Sequence, residues 1–464
     1  MRARSIAALV LALAACKGKS ERVVRGKDAA GPVAVVDRTA QPELSLVPEV
    51  EPNDDRAHAS PLALGGGAQG TMAGDADRDV YKLHVDQPAM VALALDAIDA
   101  DLILEVAAAD GTLIAKSDRG PAKTAEGMPN LGLGRGDYTV TVRAFVKPVK
   151  KPRPPKPAKP RRGEPPPPPP PDAAPPPVIE SAAYHLTAAV VAPADATERE
   201  PDDDTGAASE VFLGDSVHGW VGWSGDVDLW KLSLEGLGQR NALDLDVAGV
   251  PGVALTVELL DGAGHTLLSR RGAKGAPVAI GRVQAAIADG QPPYHYIKIA
   301  GDRSNPTEGY TLTVAGRVLD LDEEAEPNDQ PERATMLTTD ATATSGTMRA
   351  AFAPSDVDWF TLAPATEDLL LDLTVEAPPD VDLALTARTD TGVLGTVDAG
   401  KAGVRERLSV TVPKGAQVRI QVSAKADKHA PTEPRDYQVR WSLSPAAPPM
   451  PPEEGEPTID AGAE

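Results

Sequence analysis

Short runs in which large apolar residues alternate with small or polar ones recur along most of the 464-residue chain. Examples are Val91–Leu95, Leu243–Val247 and Leu371–Val375, which read VALAL, LDLDV and LDLTV. A period of two residues is typical of strands with one buried face, and no sustained helical period accompanies it. A turn-forming pair such as Asp110-Gly111 follows the next run, where a hairpin turn is expected. The pattern therefore predicts β-strands joined by tight turns.

Two rarer motifs each occur three times and indicate internal repeats. The first, E-x-E-P-[ND]-D, occupies Glu49–Asp54, Glu198–Asp203 and Glu324–Asp329. The second, D-x-D-x-aromatic, occupies Asp77–Tyr81, Asp226–Trp230 and Asp356–Phe360. The Glu before the proline and the first Asp of the second motif are 26, 26 and 30 residues apart. Such regular spacing indicates three copies of one structural unit.

Each repeat closes with two more strand-like runs, and the last of them begins with a tyrosine (Tyr184, Tyr310 and Tyr437). Roughly seven or eight short strands in about 125 residues are typical of an antiparallel β-sandwich. We therefore predict an all-β protein with three tandem antiparallel β-sandwich domains. The expected segments are a leader (1–16), a flexible tether (17–48), the sandwiches (49–192, 193–317 and 318–444), an insertion in the first of them (147–178) and a disordered tail (445–464).

These motifs resemble the bacterial pre-peptidase C-terminal (PPC) domain family, most closely where Gly225 precedes Asp226–Trp230. The resemblance covers most of residues 49–443, and the other copies depart from it at Arg78 and Ser355. It implies jelly-roll-like sandwiches of a kind that usually accompanies a peptidase. It also implies Ca²⁺ bound by the opening motif together with an Asp of the later motif.

The residues named by the resemblance are acidic or amide side chains in every repeat. They are Glu49, Glu51, Asn53, Asp54 and Asp77; Glu198, Glu200, Asp202, Asp203 and Asp226; and Glu324, Glu326, Asn328, Asp329 and Asp356. Ca²⁺ prefers six to eight hard oxygen ligands, so the residue types suit it. The alternative is structural, because Pro-Asn-Asp also forms turns.

The N-terminus reads as a lipoprotein address. Arg2 and Arg4 precede the apolar run Ile6–Ala15, which is too short to cross a bilayer but suits a signal peptide. It ends in Leu-Ala-Ala-Cys, which looks like a bacterial lipobox, and Cys16 is the only cysteine. We therefore expect acylation of Cys16 and a lipid anchor in the bacterial cell envelope, with the outer membrane or cell surface favoured.

Charge and proline are distributed unevenly. The net charge of −22 comes from 46 basic and 68 acidic residues, which disfavours nucleic acid as a partner. The predicted insertion 147–178 holds 16 of the 46 prolines and eight basic residues, so we expect an extended polyproline arm. It is interpreted either as a solvated spacer or as a docking arm for an anionic envelope polymer, an envelope protein, the membrane or the acidic body. A ligand for an aromatic groove is a further alternative.

Aromatic residues make up only 3% of the chain. Tyr81, Trp230 and Phe360 occupy one equivalent position and are predicted to be core residues. Trp220 and Trp223 have no counterparts, and packing is preferred for them over a carbohydrate platform. The sequence contains no recognisable enzyme signature. The predicted function is a non-enzymatic cell-envelope lipoprotein with a binding or structural role. The alternatives are an accessory factor of a secreted peptidase, hydrolase or secretion system, and an unrecognised hydrolase.

Overall fold

The computed structural model describes residues 45–145, 181–192, 196–238, 240–284, 290–352, 356–424 and 434–446. The predicted leader with Cys16, the insertion 147–178 and most of the predicted tether and tail lie outside these ranges. The described residues belong to one compact unit, Leu44–Glu464. They are nearly all β-structure, and the predicted tandem β-sandwich fold is confirmed. No helix in these ranges is long and apolar enough to cross a membrane.

The first sandwich contains two five-stranded sheets, in the orders β1-β3-β10-β5-β8 and β2-β4-β9-β6-β7. Its strands are β1 Leu46–Pro48, β2 Ser60–Leu62, β3 Gly66–Met72, β4 Arg78–Val85, β5 Ala89–Leu95, β6 Leu102–Ala107, β7 Leu113–Ser117, β8 Glu126–Leu133, β9 Gly136–Ala144 and β10 Ala182–Val191.

The second sandwich pairs a four-stranded sheet, β12-β19-β14-β17, with a five-stranded sheet, β11-β13-β18-β15-β16. Its strands are β11 Ser209–Val211, β12 Ser216–Gly219, β13 Val227–Ser233, β14 Asn241–Val247, β15 Leu255–Leu260, β16 Thr266–Arg271, β17 Val278–Gln284, β18 Tyr294–Gly301 and β19 Tyr310–Val318.

The third sandwich repeats this arrangement with the orders β21-β28-β23-β26 and β20-β22-β27-β24-β25. Its strands are β20 Thr335–Met336, β21 Ser345–Phe352, β22 Val357–Thr361, β23 Leu369–Glu376, β24 Leu383–Thr389, β25 Gly392–Val397, β26 Glu406–Val412, β27 Arg419–Ala424 and β28 Arg435–Pro445. A short 3-10 helix, Pro331–Arg333, precedes β20.

The three alternating runs predicted as strands lie within β5, β14 and β23. Each sandwich encloses its own core, made mainly of Leu and Val side chains, between its two sheets. Tyr81, Trp230 and Phe360 are buried at equivalent positions of β4, β13 and β22, as the sequence predicts for core residues. Trp223 is also buried, but it packs in the core cluster of the first sandwich although it belongs to the second repeat.

The opening motif of each later repeat runs beside the edge strand of the sandwich before it. The Glu200 backbone pairs in parallel with Leu131 of β8, and the Glu326 backbone pairs in parallel with Val283 of β17. The Gly132 amide donates to the Glu200 carbonyl at 2.6 Å, and the Gln284 amide donates to the Glu326 carbonyl at 2.7 Å. Because an edge strand otherwise leaves backbone donors and acceptors unpaired, these bonds fix each joint between sandwiches.

Candidate metal centres

Each opening motif meets the following D-x-D pair at the start of its own sandwich. Within the described ranges, three groups of carboxylates have ligand atoms within 4.8 Å of one another. We name them cluster one (Glu49, Glu51 and Asp79), cluster two (Glu198, Glu200 and Asp228) and cluster three (Glu326, Asp329 and Asp356). Because carboxylate oxygens are suitable ligands for hard cations, each group is a candidate metal site to be compared with the others.

Strand alternation explains which Asp of the D-x-D pair enters the clusters of the first two sandwiches. Asp79 and Asp228 lie two residues before Tyr81 and Trp230, so they share the inward face of their strands with these core aromatics. Both are fully buried. The sequence prediction named the first Asp of each pair, and missed Asp79 and Asp228. Their spacing from the core aromatic was the available signal.

Glu198 is the best satisfied carboxylate of cluster two. Its Oε1 accepts from the Trp220 amide at 2.6 Å and from Asn130 Nδ2 of the first sandwich at 2.7 Å. Its Oε2 accepts from the Tyr310 hydroxyl at 2.9 Å. Glu198 therefore binds the first sandwich to the second by a hydrogen bond.

The other acids around cluster two retain oxygens without a hydrogen bond. Asp228 lies close enough to the Tyr310 hydroxyl to help raise the pKa of that tyrosine, after burial. Neither carboxylate oxygen of Asp228, however, has a donor in hydrogen-bond geometry. The indole of Trp230 donates to the Tyr310 oxygen at 2.9 Å, and the single hydroxyl proton of Tyr310 is directed to Glu198. One further oxygen each of Glu200, Asp202 and Asp226 is buried without a partner.

The equivalent tyrosines of the other sandwiches behave differently. Tyr184 donates to Asp79 at 2.5 Å, and Tyr437 donates to Asp358. Neither of those repeats has Trp at the recurrent aromatic position. The tryptophan of the second repeat is thus associated with a fully buried aspartate that receives no hydrogen bond.

Burial dominates the electrostatics of cluster two. Burial, with neighbouring carboxylates adding to it, raises the pKa of Glu200 to about 11 and that of Asp226 to about 8. Burial likewise raises the pKa of Asp202 to about 7. The pKa values of Glu198 and Asp228 are also raised, first by burial and then by the charges of the surrounding acids. A bound cation would favour the ionised forms and reverse these shifts.

Cluster one is more open to solvent. Glu51 is exposed and Glu49 is half-buried, whereas Asp79 is fully buried and its pKa is raised to about 8, mainly by burial. The Glu49 carboxylate accepts from the Thr71 amide at 2.5 Å and from the Tyr81 hydroxyl at 2.9 Å. Cluster one therefore has fewer free buried oxygens than cluster two.

Cluster three contains an arginine from the preceding sandwich. Arg270, at the end of β16, places Nη2 2.9 Å from Asp356 Oδ1 and 3.6 Å from Glu326 Oε1. The whole Arg270 residue is only 8% exposed. Beside it, Arg282 of β17 places Nη1 3.0 Å from Glu324 Oε1. Burial raises the pKa of Glu324 and Glu326 to about 8, and these arginines oppose that shift.

The remaining predicted ligands divide by burial. Asp54 and Asp203 are exposed, and Asp203 Oδ1 accepts from the Val227 amide at 3.2 Å. Asp77 accepts from the backbone amides of Ala73 and Arg78. By contrast, Asn53 and Asn328 are buried, and the Oδ1 atom of each lacks a partner.

The three clusters fit a metal ion unequally. Cluster two offers buried, unpartnered hard oxygens, and the described residues include no arginine or lysine in a salt bridge with Glu198, Glu200 or Asp228. Cluster three fits poorly because a guanidinium already lies among its carboxylates. None of the cluster residues is His or Cys, which Zn²⁺ prefers in structural sites. The donor set therefore suits a hard cation at cluster two.

No protein-family model and no curated protein matches the chain. Among solved structures, it is similar to a periplasmic inhibitor of g-type lysozyme from Salmonella Typhimurium (12% identity, TM-score 0.19), over 24% of this chain and 97% of that one. It is also similar to the pre-peptidase C-terminal domain of collagenase from Bacillus anthracis (12% identity, TM-score 0.17), over 26% and 100% of the respective chains. A tandem CBM22 domain pair from Paenibacillus barcinonensis gives 12% identity and a TM-score of 0.16, over 46% and 82%.

Proposed function

We propose that this chain is a non-enzymatic lipoprotein of the bacterial cell envelope, and that a Ca²⁺ ion at cluster two stabilises the joint between its first two sandwiches. The tandem sandwiches would serve a binding or structural role outside the cytoplasm. The observation that carries the metal proposal is Asp228, which is fully buried and has two carboxylate oxygens without a hydrogen bond.

Buried carboxylates without partners are costly, because an ionised group loses its hydration on burial. Glu200, Asp202 and Asp226 share this problem with Asp228, since each has a buried oxygen without a hydrogen bond. A divalent cation bound by these oxygens would replace the lost water and so lower the free-energy cost of burying the ionised carboxylates. Ca²⁺ accepts many carboxylates in variable geometry, whereas Mg²⁺ is smaller and usually keeps several waters. Ca²⁺ is therefore the proposed ion.

The same ion would connect neighbouring repeats. Glu198 and Glu200 belong to the opening motif, which is hydrogen-bonded to β8 of the first sandwich, while Asp226 and Asp228 precede or begin β13. Metal ligands on both segments couple binding to the folded arrangement of the joint. The expected role of the ion is therefore structural, and the sandwiches supply the surface for a partner.

The anchor and the arm complete the proposed function. Acylation of Cys16 would hold the chain on a membrane, and the basic polyproline arm at 147–178 would meet an envelope polymer or an envelope protein. Incorporation of labelled palmitate, absent from Cys16→Ala, tests the anchor. Cross-linking in cells with and without residues 147–178 tests the arm, and an unchanged set of partners would reduce the arm to a spacer.

The metal site is tested by thermal unfolding of the purified protein in chelator and in Ca²⁺. At a free concentration of about 100 times Kd, binding at one site stabilises the folded state by about 2.7 kcal/mol. We expect Ca²⁺ to raise the unfolding midpoint of the wild type and to have little effect on Asp228→Asn. The asparagine keeps the size of the side chain but removes the charge that the ion would neutralise.

Asp246→Asn is the matched control, because Asp246 is an exposed aspartate of the same sandwich. It should keep the full response to Ca²⁺. An Asp228→Asn protein that responds as strongly as the wild type would exclude cluster two as the site. A wild type whose midpoint is the same in chelator and in Ca²⁺ would remove the metal proposal.

A further inference from the structure

The strand registers identify which residues are equivalent in the three sandwiches. In the first, second and third sandwich, Leu104 pairs with Ser117, Val257 with Arg270, and Leu385 with Val397. Leu104, Val257 and Leu385 lie on β6, β15 and β24. Each of these strands also pairs with the equivalent central strand of its sheet, which is β9, β18 or β27. Arg270 of the second sandwich therefore occupies a position that holds Ser117 in the first and Val397 in the third.

The strand registers also identify a second pair of equivalent residues, one in the first sandwich and one in the second. Leu131 of β8 pairs with Val91 of β5, and Val283 of β17 pairs with Leu243 of β14. Leu243 is the residue of the second sandwich that is equivalent to Val91. Asn130 and Arg282, the residues immediately before, are consequently equivalent. Each binds the first Glu of the next repeat: Asn130 Nδ2 lies 2.7 Å from Glu198, and Arg282 Nη1 lies 3.0 Å from Glu324.

Arg270 is positioned where a cation of cluster three would lie. Glu326, Asp329 and Asp356 place ligand atoms within 4.8 Å of one another, and the Arg270 guanidinium contacts Asp356 and Glu326. Its charge is favoured by four acids of the third repeat, since Asp329 and Asp358 also act on it. A planar guanidinium with five donors suits several carboxylates at once.

We infer that Arg270, assisted by Arg282, is the built-in cation of cluster three, so that the joint between the second and third sandwiches is closed to metal. The joint between the first and second sandwiches has the neutral residues Ser117 and Asn130 at the same positions and leaves its acids for an external ion. The inference rests on the proposed function only in naming Ca²⁺ as the ion that cluster three would otherwise take.

This inference predicts a latent site. Arg270, Glu324 and Glu326 line a cleft of about 370 Å³, which gives a small cation access to the cluster. Arg270→Gln removes the guanidinium but leaves the carboxylates of the third repeat. We expect this variant to bind one more Ca²⁺ per chain than the wild type in a calorimetric titration. In chelator its unfolding midpoint should fall, and Ca²⁺ should restore part of the loss.

Arg271→Gln is the matched control, because Arg271 is the exposed neighbour on the same strand. It should leave the number of bound Ca²⁺ ions unchanged. The double variant Arg270→Gln, Asp356→Asn should lose the additional ion. If Arg270→Gln folds and binds no additional Ca²⁺, the inference is wrong.

If Arg270→Gln does not fold, a titration of Asp356→Asn against the wild type provides the test. Asp356→Asn in the wild-type background should leave the number of bound ions unchanged, because the guanidinium and not a metal contacts that carboxylate. Loss of one ion on this substitution would overturn the inference. An additional ion in Arg270→Gln, together with no ion at cluster two in the wild type, would sustain it while refuting the proposed function.

Discussion

The two joints between sandwiches share one backbone arrangement and differ in chemistry. At both, the opening motif pairs in parallel with the edge strand of the preceding sandwich, through Glu200 at the first joint and Glu326 at the second. At the first joint the preceding sandwich contacts Glu198 with the neutral side chain of Asn130, whereas at the second joint it brings Arg270 and Arg282 to the acids. A common fold thus fixes where the acids lie, and a few residues of the neighbouring sandwich decide what compensates their charge.

Apolar groups also pack across the first joint. Trp223 inserts into the core of the first sandwich and is 6% exposed. A Cβ added to Gly222 would lie 3.0 Å from the ring of Pro129, so the Gly222 backbone approaches that side chain closely. Packing of this kind excludes water. It therefore raises the free-energy cost of ionising the buried acids next to it. The ion proposed for cluster two would therefore compensate carboxylates in a region from which packing excludes water.

The largest expected effect is on the apolar side of the comparison. Trp223→Ala removes a buried ring from the first core, which costs about 3–5 kcal/mol for a fully buried aromatic side chain. Because Asp226 follows on the same loop, we also expect weaker Ca²⁺ binding. Chemical denaturation with and without Ca²⁺ measures both. Phe212→Ala, at a residue that is 53% exposed, is the control and should cost under about 1 kcal/mol. Equal losses in the two variants would contradict the packing described for Trp223.

The next effect compares the equivalent residues of the two joints directly. Arg282→Ala leaves the buried Glu324 without its cation, and we expect a loss of about 2–3 kcal/mol, below the range for fully buried pairs because Arg282 is partly exposed. Asn130→Ala removes one hydrogen bond to Glu198 and should cost about 1–2 kcal/mol. Denaturation in chelator provides the comparison. A greater loss of stability for Asn130→Ala would contradict the view that the second joint, and not the first, depends on charged contacts with the preceding sandwich.

The sequence predicts the fold better than it predicts the site. Period-two runs locate the central strands because alternation reports burial directly, and the recurrent aromatic marks the core position. The same alternation places Asp228 inward with Trp230. The roles of Arg270, Arg282 and Asn130 depend instead on contacts with a different repeat, more than 40 residues away in the case of Arg282 and Glu324. No pattern within one repeat predicts which of its residues will contact the neighbouring repeat.

The smallest expected effect compares a ligand predicted from the sequence, Asp203, with the aspartate that the structure places in cluster two, Asp228. Asp203 is a predicted ligand, yet it is exposed and accepts a bond from the Val227 amide, whereas Asp228 is buried beside Glu200. Asp203→Asn keeps an oxygen for that amide, so we expect Ca²⁺ affinity to change by less than about tenfold, or about 1.4 kcal/mol. Asp228→Asn should abolish measurable binding in the same calorimetric titration. A comparable loss for Asp203→Asn would mean that the exposed carboxylate turns inward to the ion, and that the joint binds its metal from the solvent side.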